Sequence, residues 1–313
     1  MNNTRATAPV RTPVSVLIAA VKQLRPKQWT KNAFLFAGLV FSGEFLNPSS
    51  VMLALWGFGA FCLLASSGYI LNDYLDREAD RKHPKKRFRP IASGALPESL
   101  AIVAFVVCLG AGAWLSWSLG SWFLAVAMTY LVTTLSYSYF FKHIVILDVM
   151  FLASGFVWRA VAGALAIGVA VSPWLFLCTA FFALFIGFNK RRAELIELGA
   201  SGGTRKNLAE YGPKMLEAFQ SITTTSTILC YSLYAVLGPT PVMALTIPFV
   251  LYGVFRYVYL VEQRGEGGAP DETALRDMPL IATVGLYVLT ALAVLVARHQ
   301  GLLDGISVSG LGG

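Results

Sequence analysis

Nine apolar runs divide the chain, at residues 32–46, 51–75, 99–117, 121–141, 144–170, 173–189, 215–237, 241–261 and 279–297. A helix needs about twenty apolar residues to cross a hydrocarbon core. The pattern therefore predicts an all-α integral membrane protein of nine transmembrane helices. The connections alternate in charge. SGEFLNPSS, SLGS, GVAVSP and LGPTP contain no Lys or Arg, whereas the N-terminal segment and the connections after spans two, four, six and eight hold nearly all of them. Of the 25 basic residues, Arg298 alone falls clearly on the other side, and Arg159 and Arg256 lie within predicted spans. This bias puts the N-terminus in the cytoplasm and the C-terminus outside. The first 27 residues lack a signal-peptide core and read as a polar tail plus an interfacial helix. The expected organisation is a flexible tail at 1–21, one membrane domain at 22–300 and a short tail at 301–313.

Composition agrees. With 56% hydrophobic and 13% charged residues and a mean hydropathy of +0.63, the 313-residue chain is too apolar for a soluble domain. The net charge of +8 reads as a basic membrane face rather than a nucleic-acid surface. Cys62, Cys108, Cys178 and Cys230 all lie in apolar runs without paired spacing, so neither a disulfide framework nor a zinc site is indicated.

Charge is concentrated at residues 71–94, LNDYLDREADRKHPKKRFRPIASG, at the inner end of span two. Asn72, Asp76 and Asp80 are spaced i, i+4, i+8, which on a continuous helix stacks three oxygen-bearing side chains along one face. Hard oxygen donors select Mg²⁺ or Mn²⁺, which bridges to phosphate oxygens. The bland alternative is a solvated helix end whose acids pair with Arg77, Arg81 and Lys82; Asp73, about 100° off the shared face, suits it better. The following RKHPKKRFRP, with Lys86 and the forked guanidiniums of Arg87 and Arg89, marks topology by itself. Beside a metal array it reads as a lid over a polyanion.

Arg159 lies about 22 Å along span five. A charge at that depth faces a polar cavity or a partner. Asp148 is nearly in phase with it, and Gly155 and Gly163 flank it one turn to either side. A cavity-facing role toward an acceptor phosphate is the favoured reading, an internal pair the other.

The order NDxxDxxxD at the inner end of the second of nine spans, followed by a basic loop, resembles the UbiA superfamily of intramembrane prenyltransferases. The resemblance runs from RPKQWTKN at 25–32 to ALRD at 274–277. It implies a ring of nine helices around a central cavity open to the bilayer, with two acidic motifs holding an isoprenoid diphosphate through Mg²⁺. The first motif matches at Asn72, Asp73, Asp76 and Asp80. All four become metal ligands, and Asn72, Asp76 and Asp80 the catalytic set. The second motif departs. Where another DxxxD is usual, the chain reads FNKRRAELIEL, with Lys190, Arg191, Arg192 and Glu194. A second Mg²⁺ loses its ligands there and a bare phosphate gains partners.

With KRFRPIA and ALRD, that exchange resembles the branch of the family that moves 5-phosphoribose from phosphoribosyl diphosphate to a polyprenyl (decaprenyl) phosphate, for mycobacterial-type cell-wall arabinan. The branch implies an enzyme of the bacterial plasma membrane, with its site facing the cytoplasm and association with further copies left open. Lys86, Arg89, Lys190, Arg191 and Glu194 are then donor contacts. Tyr137 and Lys142 at the inner end of span four, Lys27, Lys31 and Asn32 opening span one, and Tyr69 one turn before Asn72 join them. For Lys27 and Lys31 membrane anchoring stays open. Arg276, with Arg256, Glu272 and Asp277, closes the cytosolic mouth. A phosphate monoester is already ionised, so no general base is needed and His83, His143 and His299 stay without a role. Two other readings remain: an isoprenoid transferase acting on an aromatic or haem acceptor, and a transporter without chemistry.

Overall fold

Asn47 leaves the chain extended and accepts a hydrogen bond from Ser49 N, Pro48 takes the first helical position, and the helix α3 then runs unbroken over Pro48–Leu75. In this computed structural model, which describes residues 12–84, 86–198, 208, 210–268 and 270–303, every regular element is helical among the described residues. Before α3 come α1 (Pro13–Gln23) and α2 (Phe36–Phe41). After it come α4 (Arg77–Lys82), α5 (Glu98–Ser118), α6 (Ser121–Tyr139), α7 (Leu147–Ala166) and α8 (Pro173–Leu198). The last four are α9 (Pro213–Leu237), α10 (Ile247–Arg264), α11 (Pro270–Arg276) and α12 (Met278–His299). Residues 1–11 and 304–313, the greater part of the two expected tails, lie outside the described residues. Residues 13–21 are helical rather than a flexible tail, because Thr12 and Ser15 form a reciprocal capping box and Pro13 starts α1.

Six helices are long and apolar enough to cross a membrane: Pro48–Leu75, Glu98–Ser118, Leu147–Ala166, Pro173–Glu197, Pro241–Arg264 and Met278–His299. The protein is an integral membrane protein, and α5 presents Leu100, Ile102, Val103, Val106 and Val107 outward as a lipid-facing stripe. The other three expected spans differ in character. α6 and α9 carry many hydroxyls, hidden by back-bonding: Thr223 Oγ1 donates to Phe219 O and Thr227 Oγ1 to Thr223 O, each at 2.7 Å. The expected first span, 32–46, is not one regular helix. A ten-residue 3₁₀ helix, Pro26–Leu35, leads into the six-residue α2. Its tighter winding rises about 2.0 Å per residue, so the two pieces together reach about 29 Å.

The cause of that irregularity is the contact with α7. Leu35 O lies so near Gly163 that a Cβ there would sit 1.8 Å from it, and a Cβ on Gly38 would sit 2.9 Å from Ala164 N. Arg159 completes the joint. Its Nε donates to Asn32 Oδ1 at 2.7 Å, Nη1 to Gly155 O at 2.8 Å and Nη2 to Tyr130 Oη at 2.9 Å, with the guanidinium over the Tyr130 ring. Arg159 is 5% exposed. The cavity-facing expectation is therefore corrected: this charge joins the first segment, α6 and α7. Asp148 is not its partner, having been taken by Arg191.

Around this joint α3 packs on α5, α6 and α7, and the order α5, α6, α7, α8, α9, α10, α12 follows neighbour to neighbour. Phe41 against Tyr234 brings α2 to the α9 side. Gly163→Ala should lower the thermal midpoint of the detergent-solubilised protein by the equivalent of about 3 kcal/mol, because backbone must move. Gly110→Ala, where a Cβ meets nothing within 4 Å, should leave it unchanged.

Candidate functional site

The expected continuous face at the end of α3 is interrupted. α3 stops at Leu75, Asp76 adopts φ −86° and ψ 1°, and α4 begins at Arg77. That backbone lies in the sparsely populated bridge region where many active-site residues sit. Across this break the acidic motif falls into two pairs. Asp73 and Asp80, each 2% exposed, turn into protein, while Asp76 stays exposed. Asp73 accepts from Gln23 Nε2 at 2.9 Å, Arg25 Nη2 at 2.7 Å and Arg89 Nη1 at 2.8 Å. The same Arg89 nitrogen reaches Asp80 at 2.7 Å, and Lys86 Nζ stands 3.9 Å from it. Asp73 is thus a buried ion-pair centre, not a solvated helix end. Arg77 and Arg81, the partners a solvated helix end would have used, turn to Glu98 and Glu78.

Asn72 Nδ2 donates to Ser138 Oγ at 3.0 Å, which leaves Asn72 Oδ1 as an acceptor. The Asp76 carboxylate makes neither hydrogen bond nor ion pair among the described residues. Two hard oxygen donors one turn apart are thereby left uncommitted. Among the described residues no three His, Cys, Asp or Glu side chains converge as a ready-made metal cage. Mg²⁺ asks for less, taking one or two protein oxygens and completing its octahedron with water and phosphate. The donor set fits a Mg²⁺ or Mn²⁺ that arrives with a diphosphate.

Gln23, Arg25 and Ser138 belong to this site and were not among the sequence candidates. Arg25 stands out in the structure: it is left-handed at φ 54°, ψ 59°, and its guanidinium lies 4.9 Å from the Tyr69 ring. A non-glycine residue there holds strain that only strong tertiary contacts maintain. RPKQWTKN contains it, but no local pattern announces such a turn.

The remaining candidates divide. Lys27 is exposed at the start of the 3₁₀ helix, and Lys31 Nζ donates to Gln28 Oε1 at 2.7 Å. Asn32 is fully buried on Arg159 and Cys62 rather than facing a ligand. Tyr137 and Lys142 sit half-buried at the end of α6 and in the turn after it, close to Ser138. Arg191 is 2% exposed, with Asp148 Oδ2 2.9 Å from its Nε and Glu194 on its Nη1. Tyr211 locks the same joint, donating to Asp148 and accepting from Ile146 N at 2.7 Å. Burial and the hydrogen bond to Asp148 push its phenol up. Arg192 forks onto Glu262 at 2.9 and 3.1 Å. Lys190 is half-buried beside these pairs. Arg276 ends α11, exposed. Arg256 grips Asp277 through two hydrogen bonds, which hold that carboxyl below its usual range at the start of α12. The Glu272 side chain lies outside the described residues.

An apolar cavity of about 660 Å³ opens between α2, α8, α9, α10 and α12. Phe34, Phe182, Phe185, Tyr231, Val254 and Tyr287 are among the residues that line it, with Ala274 of α11. It suits a flexible hydrocarbon, not a charged ligand.

Comparison with known proteins follows the same lines. The model of the UbiA prenyltransferase family matches residues 32–271. A decaprenyl-phosphate phosphoribosyltransferase of Corynebacterium glutamicum is 35% identical over 86% of this chain and 84% of its own. Its namesakes in Mycolicibacterium smegmatis and Mycobacterium tuberculosis are 34% and 36% identical, over 86% and 88% of this chain and 89% and 96% of theirs. Among solved structures, a UbiA homolog from Archaeoglobus fulgidus bound to GPP and Mg²⁺ superposes with a TM-score of 0.67 at 17% identity, over 89% of this chain and 99% of its own. Helical architecture, a split NDxxDxxxD motif and a family match over most of the sequence agree: the chain belongs to the UbiA prenyltransferase family.

Proposed function

We propose that this protein transfers 5-phosphoribose from phosphoribosyl diphosphate to a polyprenyl phosphate, decaprenyl phosphate by analogy, releasing diphosphate for the assembly of cell-wall arabinan precursors. The observation that carries the reading is the identity of 34–36%, over most of the chain, to three relatives bearing that activity as their name. The geometry is consistent with it. One end of the donor needs a metal-assisted clamp, the other a cationic one, and the chain offers uncommitted oxygen donors at Asn72 and Asp76 and a lysine at 190 where a second acidic motif is usual.

In this reading the first segment, α3, α5, α6, α7, α8, α9, α10 and α12 make nine crossings, with the N-terminus and the site on the cytoplasmic side of a bacterial plasma membrane. The apolar cavity takes part of the polyprenyl chain. An oxygen of the acceptor phosphate attacks the anomeric carbon as the bond to diphosphate breaks, and the electron pair departs on the diphosphate oxygen. The passing state is oxocarbenium-like, so leaving-group charge must be stabilised as it grows. Asn72 and Asp76 would hold a Mg²⁺, which when bound neutralises that charge. Lys86, Lys142, Tyr137, Lys27 and Lys31 line the cytoplasmic layer for the diphosphate, and Tyr69 for the ribose. Lys190 and Arg276 serve the 5-phosphate, whereas Arg191 and Glu194 steady Lys190 through their own ion pair. The acceptor monoester has a second pKa of about 6 and needs no base at neutral pH.

An assay with labelled phosphoribosyl diphosphate and polyprenyl phosphate should yield labelled lipid; activity from a prenyl diphosphate on an aromatic acceptor instead would return the chain to ordinary prenyl transfer. Asp76→Ala should cut turnover by about 10³-fold with an unchanged thermal midpoint; full turnover at saturating Mg²⁺ would remove the metal assignment. Lys190→Ala should raise KM for phosphoribosyl diphosphate about tenfold. An unchanged KM would remove the 5-phosphate clamp.

A further inference from the structure

Asp73 and Asp80 are the two most deeply buried members of the acidic motif, yet both are already answered by cations. A buried carboxylate requires such partners. Arg25 and Arg89 bring two positive charges to these two negative ones, with Gln23 donating as well. Little is left over for a divalent ion. What the bridge does hold is an angle. Asp73 sits on α3 and Asp80 on α4, so the single Arg89 nitrogen that touches both spans the break at Asp76. Both anchors of the bridge are themselves seated. Arg25 follows α1, whose Ala19 and Gln23 are buried, and Arg89 precedes Ile91 and Leu96, which are 1% exposed in the same apolar cluster as Ala19 and Ile70. The left-handed backbone of Arg25 is the turn that lets α1 end beside Asp73 while the chain descends into the 3₁₀ segment.

We propose that Arg25 and Arg89 are positioning residues, and Asp73 and Asp80 their counterparts: the buried bridge sets the α3–α4 break and so aims Asn72 Oδ1 and the Asp76 carboxylate at the metal and diphosphate. This rests on the metal-clamp reading of Asn72 and Asp76. Asp80 then acts on the metal through the backbone and Arg89, not as a ligand. Partners that orient a metal ligand without touching the ion commonly govern affinity nearly as strongly as the ligands themselves.

The test is Mn²⁺ binding to the full-length, detergent-solubilised protein in the presence of inorganic diphosphate, followed by electron paramagnetic resonance, together with steady-state kinetics. Asp76→Asn should abolish Mn²⁺ binding; if binding survives, the clamp reading fails and takes this inference with it. Arg89→Gln and Asp80→Asn should each weaken Mn²⁺ binding about tenfold. Their double mutant should lose no more than either alone, since one bridge is being broken twice. In all three kcat should fall while KM for polyprenyl phosphate stays constant. With Asp76→Asn behaving as expected, two results overturn the inference: Asp80→Asn abolishing Mn²⁺ binding as fully as Asp76→Asn, or losses that add in the double mutant. Gln23→Leu removes one hydrogen bond to Asp73 and no charge, which keeps the test open if Arg89→Gln does not fold. It should weaken Mn²⁺ binding measurably, and unchanged affinity would count against the bridge.

Discussion

Arg159 puts a positive charge into the apolar layer with no carboxylate paired to it among the described residues. Even on insertion scales a mid-membrane arginine costs about 2.5–3.5 kcal/mol. The chain meets that cost with neutral oxygens and an aromatic face: Asn32, Gly155 O, and the hydroxyl and ring of Tyr130. Because those partners come from three different elements, satisfying one side chain fixes where the first segment stands against α6 and α7. Leu35 can then approach Gly163, and the 3₁₀ winding follows from that approach. The same docking carries Arg25, at the head of the segment, to Asp73. A charge remote from the acidic motif thereby conditions the motif's surroundings.

How charge is distributed separates two kinds of residue that look alike in one dimension. Arg191 and Arg192 read as a cationic motif, but each closes on a carboxylate from another element, Asp148 of α7 and Glu262 of α10. They hold α7, α8 and α10 in register. Asp73 and Asp80 likewise read as ligands and are held by Arg25 and Arg89. The residues left uncommitted, Asn72 and Asp76, are the ones we propose for the metal. Strong interior pairing is thus what gives the few uncommitted oxygens their direction.

Legibility from sequence followed range. The long apolar runs and the position of the acidic motif depend on composition and near neighbours, and they were readable. The first segment was not, because its winding is dictated by Gly163, 128 residues from Leu35. The role of Arg25 was hidden for the same reason, its partner Asp73 being 48 residues away. Spacing also misled at Asp80: at 100° per residue it lies about 80° round the helix from Asn72 but only about 20° from Asp73, and it shares the buried face of Asp73. Arg159 invited two readings, and only the third dimension supplied Asn32 and Tyr130 as its partners.

The threonines of α9 carry a mechanical implication. A hydroxyl that bonds to the carbonyl one turn back competes with the helical hydrogen bond and lets the helix bend. Thr223 and Thr227 do this in succession, and Thr227 faces the apolar cavity. The wall from α2 and α7 is packed backbone to backbone at Gly38 and Gly163. The cavity therefore has one stiff side and one pliant side. Changes in the cavity's shape would then be taken up by α9 rather than by the close-packed joint of the first segment with α7.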